Sequence, residues 1–302
     1  MKMLKKIFVF LAIFVLSGAA NASKYFVDET GVYLVDYNTK ELEDMFSELY
    51  YDKYIDLPDE EYPRIFVQKL PSDFALIEDK TERNRLFMKI LIPLVLKVNA
   101  EVLEEREIVD ALEYDFEQNK DFDEADMYYI DKLSEKYDVT TPFKDTRRYS
   151  KLLSGLKKKV DAVPPSILVA SAAIHTDWGT SRIALKANNL YKMRVWFEED
   201  GLEPLEDKED GCKYKIYSSL EDSIRDYVLK INSNINYASF RDARAVSRRR
   251  GSELYGKRMD WGLVLDSNLQ NYGGLLDYTL TYYKLYHIDR AKLEEEYKLE
   301  EE

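Results

Sequence analysis

The strongest hydrophobic periodicity lies in the stretch TERNRLFMKILIPLVLKVNAEVLEERE, residues 81–107. Its apolar positions at Leu86, Ile90, Leu91, Leu94, Val95, Val98 and Val102 have the spacing of one helical face. Thr81 suits the N-cap, and Pro93 predicts a kink or break near Ile92. The charged stretch 106–137 predicts one or two solvated helices, and DVTTPFKDT around Pro142 a boundary. A helix is predicted over 147–160. Val163-Pro164-Pro165 opens the next, with Ile167, Ser171, Ile174 and Trp178 on one stripe and Gly179 at its end. LYKMRVWF and CKYKIY alternate in part and read as an antiparallel hairpin around an acidic loop. Ser219 with Asp222 starts a helix carrying Ile224, Tyr227, Val228 and Ile231. The basic run RDARAVSRRR closes the following helix and reads as a solvated face; two further helices are predicted near 259–270 and 275–287. Ahead of residue 81, VYLVDY forms a short segment and YPRIFVQKLPSDF an extended run.

The chain ends add a compartment. Residues 1–22 have a basic start (Lys2, Lys5, Lys6), an apolar run and the small-x-small pattern Ala20-Asn21-Ala22, which reads as a secretory signal peptide cleaved before Ser23. The run is short of the roughly 20 residues a spanning helix needs, so no membrane association is expected after cleavage, and the expected location is the periplasm. Cys212 is the single cysteine, so no internal disulfide can form. The formal charge of −13 becomes −16 once the three leader lysines are removed, which argues against nucleic acid as a partner. Sugars are read by aromatic faces and hydrogen bonds, and the chain has 24 Tyr and 3 Trp. The two histidines, His175 and His287, form no zinc motif; with one cysteine and no Gly-x-Ser-x-Gly, no metal, cofactor or nucleophile-elbow chemistry is expected.

The stretch VASAAIHTDWGTSRIALKANNLYKM, residues 169–193, concentrates the chemistry. Together with YPRIFVQKLPSDFALIEDKTERNRLFMKILIPLVLKVNAEVL and YKIYSSLEDSIRDYVLKINSNINYASFRDAR, it resembles the Bax-like branch of the bacterial glucosaminidase family, glycoside hydrolase family 73. The resemblance implies a mainly α (α+β) fold: a lysozyme-like helical lobe, a small antiparallel β-hairpin lobe and an N-terminal helical extension. The implied division is a signal peptide over 1–22, an N-terminal helical region over 23–140, the glucosaminidase-like domain over 141–290 and an acidic tail over 291–302. It also implies cleavage after N-acetylglucosamine in peptidoglycan glycan strands.

The family pattern is Ala-Ala-x-Glu-Ser-x-Trp-Gly, then Asn-Asn-Leu, with the Glu as general acid. Ala172, Ala173, Trp178, Gly179, Asn188, Asn189 and Leu190 match; the acid position holds His175. The resemblance further implies roles for Tyr272 as a site tyrosine, for a β-lobe carboxylate, here Glu199, and for Asn188, Asn189, Tyr191 and Trp196 in holding substrate. A glycosidase acid must reach the leaving oxygen with its proton in place. Imidazole titrates near 6.5 but is a rigid ring, whereas Glu reaches on a flexible chain. Asp177 lies about 200° around a helix from His175 and should point elsewhere. Three functions remain open: a weak or differently working peptidoglycan glucosaminidase; an inactive relative that grips glycan strands and scaffolds cell-wall enzymes; and a protein-interaction module with a vestigial groove. Exposure of Tyr191, Trp196 and Tyr272 would favour the first two, and burial the third.

Overall fold

The computed structural model describes residues 24–49, 51, 61–141, 148–196, 200–205, 211–260, 262–263 and 271–295. The expected leader, Glu199 and most of the helix predicted near 259–270 lie outside them.

The chain begins with strands β1 (Tyr25–Asp28) and β2 (Gly31–Leu34), helix α1 (Thr39–Glu48), and strands β3 (Glu61–Tyr62) and β4 (Ile65–Val67). Strands β1, β2 and β4 make one sheet, β1 antiparallel and β4 parallel to β2, with Val32 opposite Ile65 and Leu34 opposite Val67. The region before residue 140 is therefore not purely helical.

Helix α2 (Lys80–Glu117) runs 38 residues. Its N-cap is Asp79, whose carboxylate accepts from the backbone of Thr81 and Glu82, so the cap lies two residues before the one the pattern suggested. The helix also passes through Pro93 instead of stopping at Ile92. Proline has no N–H for the carbonyl four residues back, here Lys89. The buried Tyr51 hydroxyl donates to that carbonyl at 2.9 Å. Tyr51→Phe should remove this replacement partner and lower unfolding free energy by about 1–2 kcal/mol, within the cost of leaving a buried acceptor unmet; urea unfolding checks it.

Helices α3 (Glu124–Lys136) and α4 (Arg148–Lys159) pack on the polar end of α2 through Leu112, Ile130, Leu152 and Leu153. Helix α5 (Pro165–Thr176) follows, buried almost all round, with Pro at its start as expected. It ends at Thr176, three residues earlier than Gly179. Next come α6 (Arg182–Ala187) and strands β5 (Arg194–Trp196), β6 (Gly201–Leu202) and β7 (Cys212–Lys215). The predicted hairpin is present, with β5 and β6 both antiparallel to β7. Helices α7 (Leu220–Ser233), α8 (Ala238–Arg249) and α9 (Tyr272–Tyr282) lead to a 3-10 helix over Leu285–Arg290. The last strand, β8 (Lys292–Leu293), pairs with β3 and returns the chain end to its beginning. Among the described residues the larger apolar cluster joins α2, α5, α7 and α9 with the N-terminal sheet. The mainly α body with a small antiparallel sheet agrees with the expected fold class.

The basic run on α8 is not a solvated face throughout. Arg241 and Arg244 are buried, and their guanidinium groups donate to backbone carbonyls, Arg241 to Ile231 and Asn234, Arg244 to Lys158, Lys159, Asp161 and Ala162. Their hydrogen bonds satisfy helix-end carbonyls of α4 and α7.

Asp289 holds the start of α5. Its carboxylate accepts from the Ser166 backbone and hydroxyl, both at 2.9 Å, and from the Gly256 backbone at 2.8 Å. Burial dominates these bonds and pushes its pKa up from 3.8 to about 6. Between those values the unfolded chain has released the proton that the folded chain keeps, so stability should fall as pH rises through about 4 to 6. Asp289→Asn should flatten that slope. The stability gap between parent and variant should narrow on going from pH 4 to pH 7, as read by thermal melts across the series.

Candidate active site

His175, which the resemblance sets at the general-acid position, sits on the last turn of α5, where the chain leaves the helix through strained backbone. Asp177 and Trp178 both have positive φ, 49° and 55°, before Gly179 at 83°. Positive φ is unusual for a residue as bulky as Trp. The turn is held by the Thr176 hydroxyl, which donates to the Ala172 carbonyl at 2.6 Å and accepts from the Gly179 N–H at 2.9 Å. A Cβ at Gly179 would lie within 3.0 Å of the Phe74 and Phe87 rings, so this position requires glycine twice over. Trp178 packs between Phe87 and Tyr283. Asp177 is exposed and takes the Thr180 hydroxyl.

His175 is 5% exposed. Its ring lies against Tyr272, centroids 5.4 Å apart and planes 25° from parallel. Among the described residues neither ring nitrogen has a hydrogen-bond partner. Burial first, then the positive charges of Lys192 and Lys230, lower its pKa from 6.5 to about 4. Only about one imidazole in a thousand is then protonated at pH 7. The ring is neutral, and it carries almost no proton to give a leaving oxygen.

Around it the tyrosines are inside the protein. Tyr272 is 2% exposed, and its hydroxyl donates to Ser171 Oγ at 2.9 Å. Tyr191 is 3% exposed, stacks on Tyr227 at 3.9 Å and donates to the Leu168 carbonyl at 3.3 Å. Neither presents a ring face to solvent. Trp196 does, at 49% exposure on β5.

The asparagine pair is used by the fold. Asn188 caps α6 in the left-handed conformation and donates Nδ2 to the Tyr217 and Ser218 carbonyls. Asn189 is fully buried; its Nδ2 donates to the Met193 and Lys215 carbonyls, both at 2.8 Å, and its Oδ1 accepts from the backbone of Tyr191 and Met193. Both amide protons and the acceptor are committed, so Asn189 ties the small sheet to α6 and has no donor to spare for a sugar.

The structure thus brings His175, Tyr272 and Tyr191 into one buried cluster and puts Trp196 on the surface of the small sheet. Of the acidic loop, Asp200 and Glu203 are exposed; Glu198, Glu199 and Glu206 lie outside the described residues. Ser171 and Tyr227, which periodicity predicts only as helix-face positions, and Lys192 and Lys230, which it does not mark, also meet this cluster. Tyr227 and Lys230 could have been found from their i, i+3 spacing on α7, facing the same way. Among the described residues no group of three or more His, Cys, Asp or Glu could hold a metal, and no helix is long and apolar enough to cross a membrane.

Comparison with known proteins covers the same region. Residues 150–273 match the family model described as mannosyl-glycoprotein endo-beta-N-acetylglucosaminidase. The chain is 27% identical to the protein bax of Escherichia coli (strain K12) over 179 residues, 59% of this chain and 61% of that protein. It is 36% identical to the exo-glucosaminidase LytG of Bacillus subtilis (strain 168) over 72 residues, 22% of this chain and 26% of that protein. It thus spans about three fifths of one relative and a quarter of the other. Among solved structures, the catalytic domain of the autolysin Auto from Listeria monocytogenes matches at 16% identity and a TM-score of 0.32, covering 56% of this chain and 89% of that one. Residues 150–273 thus match the glucosaminidase family model in the stretch whose motifs carry the resemblance to the Bax-like branch.

Proposed function

We propose that this is an exported, periplasmic protein directed at peptidoglycan glycan strands, in which hydrolysis after N-acetylglucosamine is weak or lost. One observation carries the reading: the acid position is filled by a buried, neutral His175, set against Tyr272 and in the field of two lysines. A glycosidase needs a proton donor there, and this imidazole holds too few protons near neutral pH.

The test is the full chain with purified peptidoglycan, scoring reducing-end products and pelleting of protein with the polymer in parallel. Saturable binding with product near background is the expected result. Trp196→Ala should weaken that binding by about 1 kcal/mol, the scale of one aromatic contact. Brisk turnover by the parent would overturn the lost-acid reading.

A second reading, a protein-interaction module with a vestigial groove, is favoured by the burial of Tyr191 and Tyr272. Absence of binding to both peptidoglycan and chitooligosaccharide would select it.

A further inference from the structure

A cavity of about 390 Å³ is walled by α2, the end of α3, α7 and the end of β7 with the chain that follows it. That volume is within the range of small-ligand sites, roughly 300–1,000 Å³. Its floor is apolar, from Val102, Val228 and Leu229. Its walls carry two similar clusters. On one, the Glu105 carboxylate takes Lys136 Nζ and the Tyr137 hydroxyl, both at 2.6 Å. On the other, Asp226 takes Lys215 Nζ and the Tyr217 hydroxyl, both at 2.7 Å. Between them Arg225 makes a two-pronged pair with Glu101 at 2.9 and 3.0 Å.

The charges have capacity beyond these pairs. Both donors to Asp226 sit on Oδ2, and among the described residues none donates to Oδ1. Each lysine has three donors and gives one to its carboxylate here. A dissolved anion would meet four wall carboxylates, and a simple cation three wall cations. A ligand with one ammonium, one carboxylate and an apolar middle would use the open acceptor, the spare lysine protons and the floor together.

We propose that this cavity binds a short zwitterionic peptide, and that its source is stem peptide released from peptidoglycan, whose N-terminal nitrogen is no longer acylated by the glycan strand. The choice of source rests on the proposed wall-directed function; the peptide chemistry rests on the cavity alone.

The experiment is calorimetric titration of the full chain with free stem tetrapeptide carrying no sugar, with its N-acetylated and C-amidated forms, with an unrelated zwitterionic tetrapeptide, and separately with chitotetraose. The stem peptide should bind saturably, each blocked form at least about tenfold more weakly. Leu229→Trp should abolish binding by filling the floor. Lys136→Ala and Lys215→Ala, at partly exposed side chains, should each weaken it at least about fivefold, and they carry the test if Leu229→Trp does not fold. No saturable heat with the stem, equal binding of the blocked forms, or parental binding by the folded variants would overturn the site. Equal affinity for the unrelated peptide would overturn the wall stem as source. Chitotetraose reports on the glycan groove alone, so failure there leaves the stem result standing.

Discussion

His175→Glu should raise the release of reducing ends from purified peptidoglycan at least about tenfold over the parent. General acid help is typically worth 10²–10⁴-fold, and the low end allows for a site not tuned to a carboxylate. The new side chain would enter a slot whose burial favours the protonated acid, while Lys192 and Lys230, which lower the His175 pKa, would favour its ionised form. Those opposing influences can poise a carboxyl group to hold a proton and then give it up. His175→Ala should leave the low parental rate nearly unchanged, because the parental ring is almost entirely neutral near pH 7. Any parental activity that does run through imidazolium should rise as pH falls from 7 towards 4, where the protonated fraction climbs. A different pattern would discard the lost-acid reading: a brisk parent, abolished by Ala and not improved by Glu. The imidazole would then be the donor, in a geometry other than the buried one against Tyr272.

The elements around this site were largely legible in the sequence, because each carries a local signal. Pro165 opens α5, Ser219 caps α7 with its hydroxyl on the Asp222 N–H, and alternation marks β5 and β7. What sequence could not show depends on residues far along the chain. Pro93 reads as a helix stop; the chain passes through it with the Tyr51 hydroxyl on the Lys89 carbonyl, 38 residues away. RDARAVSRRR reads as solvated because arginine is usually exposed, and the carbonyls that draw Arg244 inside belong to the end of α4. Tyr191 sits in a motif that implies substrate contact, yet its ring stacks on Tyr227 of α7. The histidine at position 175 was plain in the sequence; the loss of its charge was not, because that comes from burial and from Lys192 in the loop before β5 and Lys230 on α7.

Asp161→Ala should destabilise the folded chain by about 3–5 kcal/mol, the usual cost of breaking a buried ion pair from one side. Asp161 lies between α4 and α5 and is buried. Its carboxylate takes Arg248 in two bonds of 2.7 and 3.0 Å, with Arg106 at 3.4 Å and Arg244 at 3.8 Å. Arg248 can swing to water once the carboxylate is gone, but Arg244 is 1% exposed and cannot. It would keep its bonds to Asn232 and the carbonyls and lose its compensating charge. For a chain of this size each kcal/mol moves the melting temperature by about 2–4 °C, so the expected loss is on the order of 10 °C. Asp161→Asn, which keeps the shape and one acceptor, should fall between parent and Ala. Burial works against the Asp161 charge, but Arg248, Arg244 and Arg106 outweigh it and hold the carboxyl below its ordinary 3.8. Its contribution is therefore complete above about pH 4 and is lost as pH falls through the lower folded value, so parent and Ala variant should converge at strongly acid pH. Asp289 acts in the window above, about 4 to 6, and with opposite sign. Melts of the Asp161 and Asp289 variants across pH 2–8 can thus assign each slope to one carboxylate. A difference under about 1 kcal/mol between parent and Asp161→Ala at pH 7, well below the usual cost of leaving a buried charge unpaired, would mean that the carbonyls alone hold Arg244, and that the aspartate does not fix the junction of α4 with α8.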